Sequence, residues 1–480
     1  MSTPAKFRRA HRALAWIAAI TAVVWASSGA IHPLIVAIGP KPVTFQPPQT
    51  SFEAAAFKAP SAVLEAAGIS EASQLRYVAV DGHAALQVQP AGKAERQGER
   101  IYLDAETGSP ITNADRARAI ALARHYSGEQ TAAVRDAWLI TQFDRDYPWI
   151  NRLLPVWAIA FEDDIGTVVY VDTGGDRLGT LSGSSKRYWQ GLFQSLHTLS
   201  FIEVPYLRPA AIGLMVGLFL VTTVLGATML LRRGGAQTSR RFHRRLAWIA
   251  VLPALLFPAT GLFKLLTDEL PGQSAPLPPA ISTAQLSALP FKAGDGALLE
   301  AIAVPVFGGA PVWKVVALRD AKPEVRLSAA DGSAIDGGDE ALALRLASGA
   351  FGSEISEAPV LISSFDRDYG FANKRLPVWR ATGPAQQTWY FETRSGLVAA
   401  QLGGPYGELK QAQALLFNLL HKGHFLDPLG LTPNQRNLLM SGLAAIIVLM
   451  ALFGVAIRLR GRGPAAVLPS AACPPGSERR

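Results

Sequence analysis

The sequence predicts a membrane protein: an α-helical four-span bundle with two α+β outer domains, the whole arrangement internally duplicated. Three observations predict it. Charged residues are only 17% of the 480-residue chain and hydrophobic ones 49%, where a soluble domain is about 25% charged. Four stretches have the roughly 20 mostly apolar residues that a ~30 Å hydrocarbon core demands. Short blocks of the first half also return in the same order in the second.

The elements follow in order. Residues 1–38 hold a basic start and the first span, from Ala13 to Ile38. Small residues at Ala26 to Ala30 resemble a signal-peptide cleavage site, but a cleavable apolar region is only about 7–15 residues long. Residues 39–190 form the first outer domain. It begins on the Pro-rich linker Pro40 to Pro48, which favours extended chain. Ile101 to Gly108 and Val169 to Gly175 read as strands running into turns, where Gly supplies positive φ and Asp or Ser bonds back to the backbone. Residues 191–233 give an interfacial helix and the second span, Pro209 to Leu231. Residues 234–267 give a basic connection and the third span, Leu246 to Leu266. The second outer domain, 268–410, repeats the first: a Pro-rich linker at Pro271 to Pro279, then strand–turn units at Val325 to Gly332 and Trp389 to Gly396. Asn113 to Tyr126 and Asp339 to Phe351 read as the helices following the first strand of each half. Residues 411–457 give an interfacial helix and the fourth span, Asn437 to Ile457, and 458–480 form a tail.

The chain has a net charge of +9 and a pI near 9.7. The excess sits at Lys6, Arg8, Arg9 and Arg12, at Arg232, Arg233, Arg240, Arg241, Arg244 and Arg245, and at Arg458, Arg460, Arg462, Arg479 and Arg480. The rest of the chain is acidic in balance. Positive charge marks the cytoplasmic side of spans. Both termini are thus expected in the cytoplasm, with the outer domains on the far side. The location of this charge accounts for the pI without a nucleic-acid partner. The one cysteine, Cys473, excludes a disulfide framework and a four-cysteine zinc site. There is no phosphate-binding G-x-x-x-x-G-K-[ST] run, no G-x-G-x-x-G and no H-E-x-x-H. The chain carries no evident ATP or dinucleotide site of its own.

Arg9-Ala10-His11-Arg12-Ala13-Leu14-Ala15-Trp16-Ile17-Ala18 returns as Arg241-Phe242-His243-Arg244-Arg245-Leu246-Ala247-Trp248-Ile249-Ala250, and Ser28-Gly29 returns as Thr260-Gly261. Phe143-Asp144-Arg145-Asp146-Tyr147 returns as Phe365-Asp366-Arg367-Asp368-Tyr369, and Leu154-Pro155-Val156-Trp157 as Leu376-Pro377-Val378-Trp379. The block ending at Leu196-His197 returns more loosely as that ending at Leu420-His421. Both halves start on one side, so this is a parallel repeat about the membrane normal.

Strand-Asp-x-x-Thr-Gly units between transmembrane pairs resemble the PepSY domain, and nearly the whole chain is similar to the PepSY-associated transmembrane family. The residues carrying the resemblance are His11 and His243 beside basic residues, Gly29 and Gly261 after Ser or Thr, and His197 and His421 after Leu. The family includes inner-membrane reductases of ferric siderophores that carry haem. The resemblance therefore implies an oxidoreductase of bacterial iron acquisition, with multiple passes through the inner membrane and two periplasmic PepSY-like domains.

Four of the eight histidines occupy matched places. His11 and His243 lie at the cytoplasmic ends of the first and third spans. His197 and His421 precede the second and fourth spans, near the outer interface. At about 1.5 Å per residue the two levels are separated by roughly the membrane thickness. On the resemblance, two non-covalent b-type haems are expected, the inner held by His11 and His243 and the outer by His197 and His421. Two axial imidazoles suit electron transfer rather than oxygen chemistry. Arg12 and Arg244 are placed to meet haem carboxylates. A competing reading makes the Arg-x-His-Arg runs plain charge anchors. His32, whose counterpart is Lys264, could support or replace an outer ligand. His424 could compete with His421 if the helix continues past it. His83 and His125 read as solvated surface.

The blocks Asp144, Arg145, Asp146, Tyr147 and Asp366, Arg367, Asp368, Tyr369 could form a substrate rim, since hard oxygen ligands suit iron. A turn with internal ion pairs is the simpler reading. The Leu-Pro-Val-Trp blocks read as packing, with Trp149, Trp157, Trp189, Trp379 and Trp389 in an aromatic belt or in outer-domain cores. The expectation is reduction of a ferric siderophore or other chelate, with electrons from a cytoplasmic reductase or from quinol in the lipid. The rivals are an envelope binding or regulatory protein without redox activity, and a transporter of iron or its chelate. No Asp or Glu lies midway in a span, which weighs against the transporter.

Overall fold

The computed structural model describes residues 3–55, 57–92, 98–231, 238–271, 275–320, 322–353, 355, 357–366, 368–384 and 387–460. Arg367 and the charged positions within 232–237 and 461–480 lie outside the described residues. The chain divides into two compact units. One comprises Met1–Ala37, Leu192–Leu266 and Gln413–Arg480; the other comprises Ile38–Gly191 and Thr267–Ala412.

The first unit contains four helices long and apolar enough to cross a membrane: Lys6–Val36, Leu207–Leu230, Arg241–Asp268 and Pro433–Leu459. Ala18 and Ala22 on the first span pack in one cluster with their counterparts Ala250 and Ala254 on the third, together with Phe219 and Ile447. Small side chains permit close helix approach where no water-driven force acts between apolar surfaces. Polar side chains inside the spans are satisfied locally. Thr21 donates to Ile17 O, Ser28 to Val24 O, Thr222 to Leu218 O and Thr260 to Leu256 O, all at 2.7–2.9 Å. In an apolar solvent an unpaired hydroxyl would be costly. Ser441 reaches across and donates to Ala30 O at 2.9 Å, tying the fourth span to the first.

The second unit is α+β with three antiparallel sheets. The two halves share the largest, nine-stranded sheet. Strand Glu71–Val80 of the first half pairs with Ala297–Val304 of the second, with Tyr77 opposite Ala301 and Arg76 opposite Ile302. The exchange goes further at the edges: Ile281–Ser282 pairs with the first-half strand and Phe52–Glu53 with the second-half one. Tyr77, Phe291 and Trp313 fill the core beneath this seam. Two separate outer domains were expected. The sheet joins them because each half's edge strand finds its backbone partners on the other half.

Each half adds a four-stranded sheet: Val134–Ile140, Val156–Phe161, Val168–Asp172 and Arg177–Ser182 in the first, and Val360–Ile362, Val378–Thr382, Thr388–Glu392 and Leu397–Leu402 in the second. The expected strand–turn units and the helices Ala114–Ser127 and Gly338–Phe351 are present. These helices follow the last strand each half gives to the shared sheet, not its first strand. The Leu-Pro-Val-Trp blocks are packing elements, and both Leu–Pro bonds are cis. Trp157 Nε1–H and Thr173 Oγ1–H donate to Asp115 at 2.8 and 2.6 Å. Trp379 and Thr393 donate in the same way to Asp339 at 2.8 and 3.0 Å.

A buried ion network crosses between the halves. Asp176 is paired with Arg76 at 2.8 Å, Arg118 at 2.7 Å and Arg394 at 3.3 Å, while Arg394 also meets Glu300 at 2.5 Å. Arg177 reciprocates by pairing with Glu392 of the second half. Burial works to raise the Asp176 carboxyl, but Arg76 and Arg118 overcome it and hold it well below the usual carboxylate range.

Candidate functional site

The matched histidines converge with one shared design inside the membrane unit. His11 Nδ1 lies 3.0 Å from Thr222 O, and His243 Nδ1 lies 3.1 Å from Met450 O. A carbonyl only accepts, so Nδ1 carries the proton in both rings. His197 Nδ1 lies 3.0 Å from Ser28 Oγ, whose own proton is directed to Val24 O at 2.7 Å. His421 Nδ1 lies 3.2 Å from Thr260 Oγ1, which likewise donates to Leu256 O, and 3.1 Å from Phe257 O. In all four rings Nδ1–H is therefore the donor and Nε2 keeps its lone pair. Among the described residues no hydrogen bond engages any of the four Nε2 atoms. A ligating imidazole is held in this manner: the far nitrogen is tied, which fixes tautomer and orientation.

Each ring also rests on a glycine of the neighbouring span. A Cβ added at Gly226 would stand 3.3 Å from His11 Cε1, and one at Gly454 3.4 Å from His243 Cε1. At Gly29 the distance is 3.4 Å to His197, and at Gly261 3.6 Å to His421. Within each half the histidine of one span is thus seated on the backbone of its partner span. Ser28-Gly29 and Thr260-Gly261 owe their place in the repeat to this: the hydroxyl binds Nδ1 and the glycine admits the ring.

Aromatic rings add further contacts at His197 and His421. The His197 and His421 centroids lie 6.5 Å apart with planes at 74°. Phe193 stacks on His197 at 4.8 Å and 18°, and Phe417 on His421 at 4.4 Å and 13°. Both pairs have i, i+4 spacing, which puts side chains on one helix face. Each such contact is worth about 0.5–1.5 kcal/mol beyond area burial. The second is carried by a π-helical turn, Phe417–His421, a form that recurs at functional sites.

The donor set suits haem. Two imidazoles bound to one metal from opposite sides at about 2.0 Å would place their centroids roughly 6 Å apart, close to the outer separation. Among the described residues no group of three or more His, Cys, Asp or Glu converges.

The other expected site residues fall elsewhere. His32 stacks on the far side of Phe193 at 4.6 Å, so a phenyl ring separates it from His197. His424 does not share a face with His421. Gly423, at φ 80°, ends the helix, and His424 Nδ1 meets Asp427 Oδ2 at 2.8 Å with Arg436 beside them. Arg244 donates to Leu230 O at 3.1 Å, while Arg12 is exposed and its carbonyl accepts from Arg458. His83 is exposed, whereas His125 meets Gln46 O at 2.8 Å.

In the second unit, Asp144 Oδ1 accepts from the N–H groups of Asp146 and Tyr147 at 2.8 and 2.6 Å, and Asp366 does the same for Asp368 and Tyr369. Both blocks are turns. Tyr147 and Tyr369 are buried, stacked on Tyr170 and Tyr390, and donate to Leu153 O and Arg375 O. Their phenols face inward, away from any rim. The Arg145 guanidinium lies against Gly191.

Sequence reasoning missed Phe193, Phe417, Gly226 and Gly454. The phenylalanines were legible, since each stands four residues before a matched histidine. The two glycines lie at different distances from the histidines in each half, so nothing in the repeat marks them. Compared with known proteins, no family model matches the chain and no curated protein matches it.

Proposed function

We propose that the protein is a haem-carrying reductase of the bacterial inner membrane that passes electrons from the cytoplasmic side to a ferric chelate, of the siderophore kind, in the periplasm. Both termini would lie in the cytoplasm and the outer unit in the periplasm, as the basic residues flanking the spans favour. The observation that carries this reading is the set of four matched imidazoles, each with Nδ1–H tied to a neighbouring span and Nε2 left with its lone pair.

His11 and His243 would hold the inner haem, and His197 and His421 the outer one. When bound, the haems would supply one-electron transfer at two depths of the bilayer, with no open position for oxygen. The chain's own residues do the rest. Thr222, Met450, Ser28 and Thr260 fix the imidazoles in the ligating tautomer. The glycines admit the rings. Ala18, Ala22, Ala250 and Ala254 close the space between the levels against water. The electron donor would be a cytoplasmic reductase or membrane quinol.

The test is a reduced-minus-oxidised visible spectrum of the purified protein. Sharp haem bands at two haems per chain are expected. Colourless protein would overturn the reading and return the outer unit to the role of an envelope binding module.

A further inference from the structure

We infer that Phe193 and Phe417 are positioning residues that hold the outer pair of imidazoles at nearly perpendicular planes. The inference rests on the proposed haem ligation by His197 and His421 and deepens it.

A histidine ring turns about a broad, roughly two-fold torsion, so rotamer preference alone does not set its plane. Two contacts set it here. Nδ1 is pinned to Ser28 in one half and to Thr260 and Phe257 O in the other. The ring face is pinned by the phenyl four residues earlier, with interplanar angles of 18° and 13°. The phenyls are themselves backed. His32 stacks on Phe193 at 4.6 Å, and its counterpart Lys264 lies over Phe417 at 5.8 Å. The orientation is therefore built by protein contacts alone, and the two ring planes meet at 74°. This gives His32 a role as a second layer behind the ligand.

Ring orientation matters to a low-spin ferric haem because each imidazole donates π density in one plane. Parallel rings act on one of the two iron d orbitals of π symmetry and separate their energies. Perpendicular rings act on both alike and leave them nearly equal. The first case gives a three-feature rhombic electron paramagnetic resonance spectrum. The second gives a single steep, strongly anisotropic low-field signal.

The experiment is the resonance spectrum of the oxidised full-length protein, with the outer signal assigned as the one lost in His421→Leu. The expected result is a steep low-field outer signal. The Phe193→Leu/Phe417→Leu variant should keep its haem stoichiometry while that signal moves toward the rhombic form and the inner signal stays. A rhombic outer signal in the unmodified protein, or a double variant whose signal does not move, overturns the inference while leaving haem ligation standing. Protein without haem overturns both. A variant that loses haem altogether is replaced by the milder Phe193→Tyr/Phe417→Tyr pair, in which retained stacking should preserve the steep signal.

Discussion

The two units use the same duplication in opposite ways. In the membrane unit the copied residues do copied work. His11 and His243 each bond a carbonyl of the following span, and His197 and His421 each bond a hydroxyl of the preceding one. In the second unit the buried ion network that joins the halves is made of residues that are not copies. Asp176 gathers Arg76, Arg118 and Arg394, and the place of Arg394 in the first half is held by Gly174. The difference teaches that the repeat keeps its matched polar contacts around the four histidines, whereas the ion network between the halves has lost its symmetry. The two units should accordingly fail differently when mutated.

The largest effect is expected at the ligands. His197→Leu and His11→Leu should each lose one haem of two, read as haem per protein. His197→Leu with His421→Leu should lose no more than either alone, while His197→Leu with His11→Leu should lose all. Additive loss within a pair would break the assignment of pairs to levels.

Filling a cradle comes next. Gly29→Val and Gly226→Val carry side chains beyond a Cβ already 3.3–3.4 Å from the imidazole, so each should empty one level. Gly217→Val, on the same span as Gly226 but with nothing within 4 Å of the added Cβ, should leave the haem content intact. Equal loss in all three would mean general damage to the span.

In the outer unit, Asp176→Asn leaves three guanidiniums without their shared carboxylate. A loss of about 3–5 kcal/mol is expected, the usual cost of breaking a buried pair, with haem content unchanged. The pH dependence has a definite sign. The folded carboxyl is held low, so its stabilisation is complete above the unfolded value of about 3.9 and fades as pH falls through the folded value. Thermal unfolding of the unmodified protein should lose stability below about pH 4, and Asp176→Asn should flatten that loss. Haem release by this substitution would break the division of labour between the units.

The smallest effect is expected at Ser28. Ser28→Ala removes the hydroxyl acceptor of His197 Nδ1–H, costing about 1 kcal/mol of anchoring and raising the outer midpoint potential, because a less polarised imidazole donates less to iron. Thr260→Ala should do less, since Phe257 O also accepts from His421. Redox titration of the two variants ranks them, and the reverse order would show that the hydroxyls do not set the ring.

Much of the fold was legible. Span positions follow from apolar runs, and the strand–turn units at Ile101 to Gly108 and Trp389 to Gly396 follow from local turn chemistry. The shared sheet was not, because the pairing of Glu71–Val80 with Ala297–Val304 joins strands far apart in the chain whose alternation is satisfied by any partner. At the site, the matched histidines and the phenylalanines four residues before His197 and His421 were within reach of the sequence, and Phe7 holds the same place before His11. Tyr147 and Tyr369 misled it: a phenol beside two aspartates reads as a rim, yet burial against Tyr170 and Tyr390 turns both inward.

The amino-acid sequence by itself determined the four apolar helices, the clustering of basic residues beside them and the matching of histidines by repeat, because hydropathy, charge and self-similarity are properties of the chain read along its length. Only the tertiary structure decided which nitrogen of each ring is tied, which glycine seats it and at what angle the outer rings meet. Those depend on the rotation and depth at which one helix packs against another, and no local pattern encodes them.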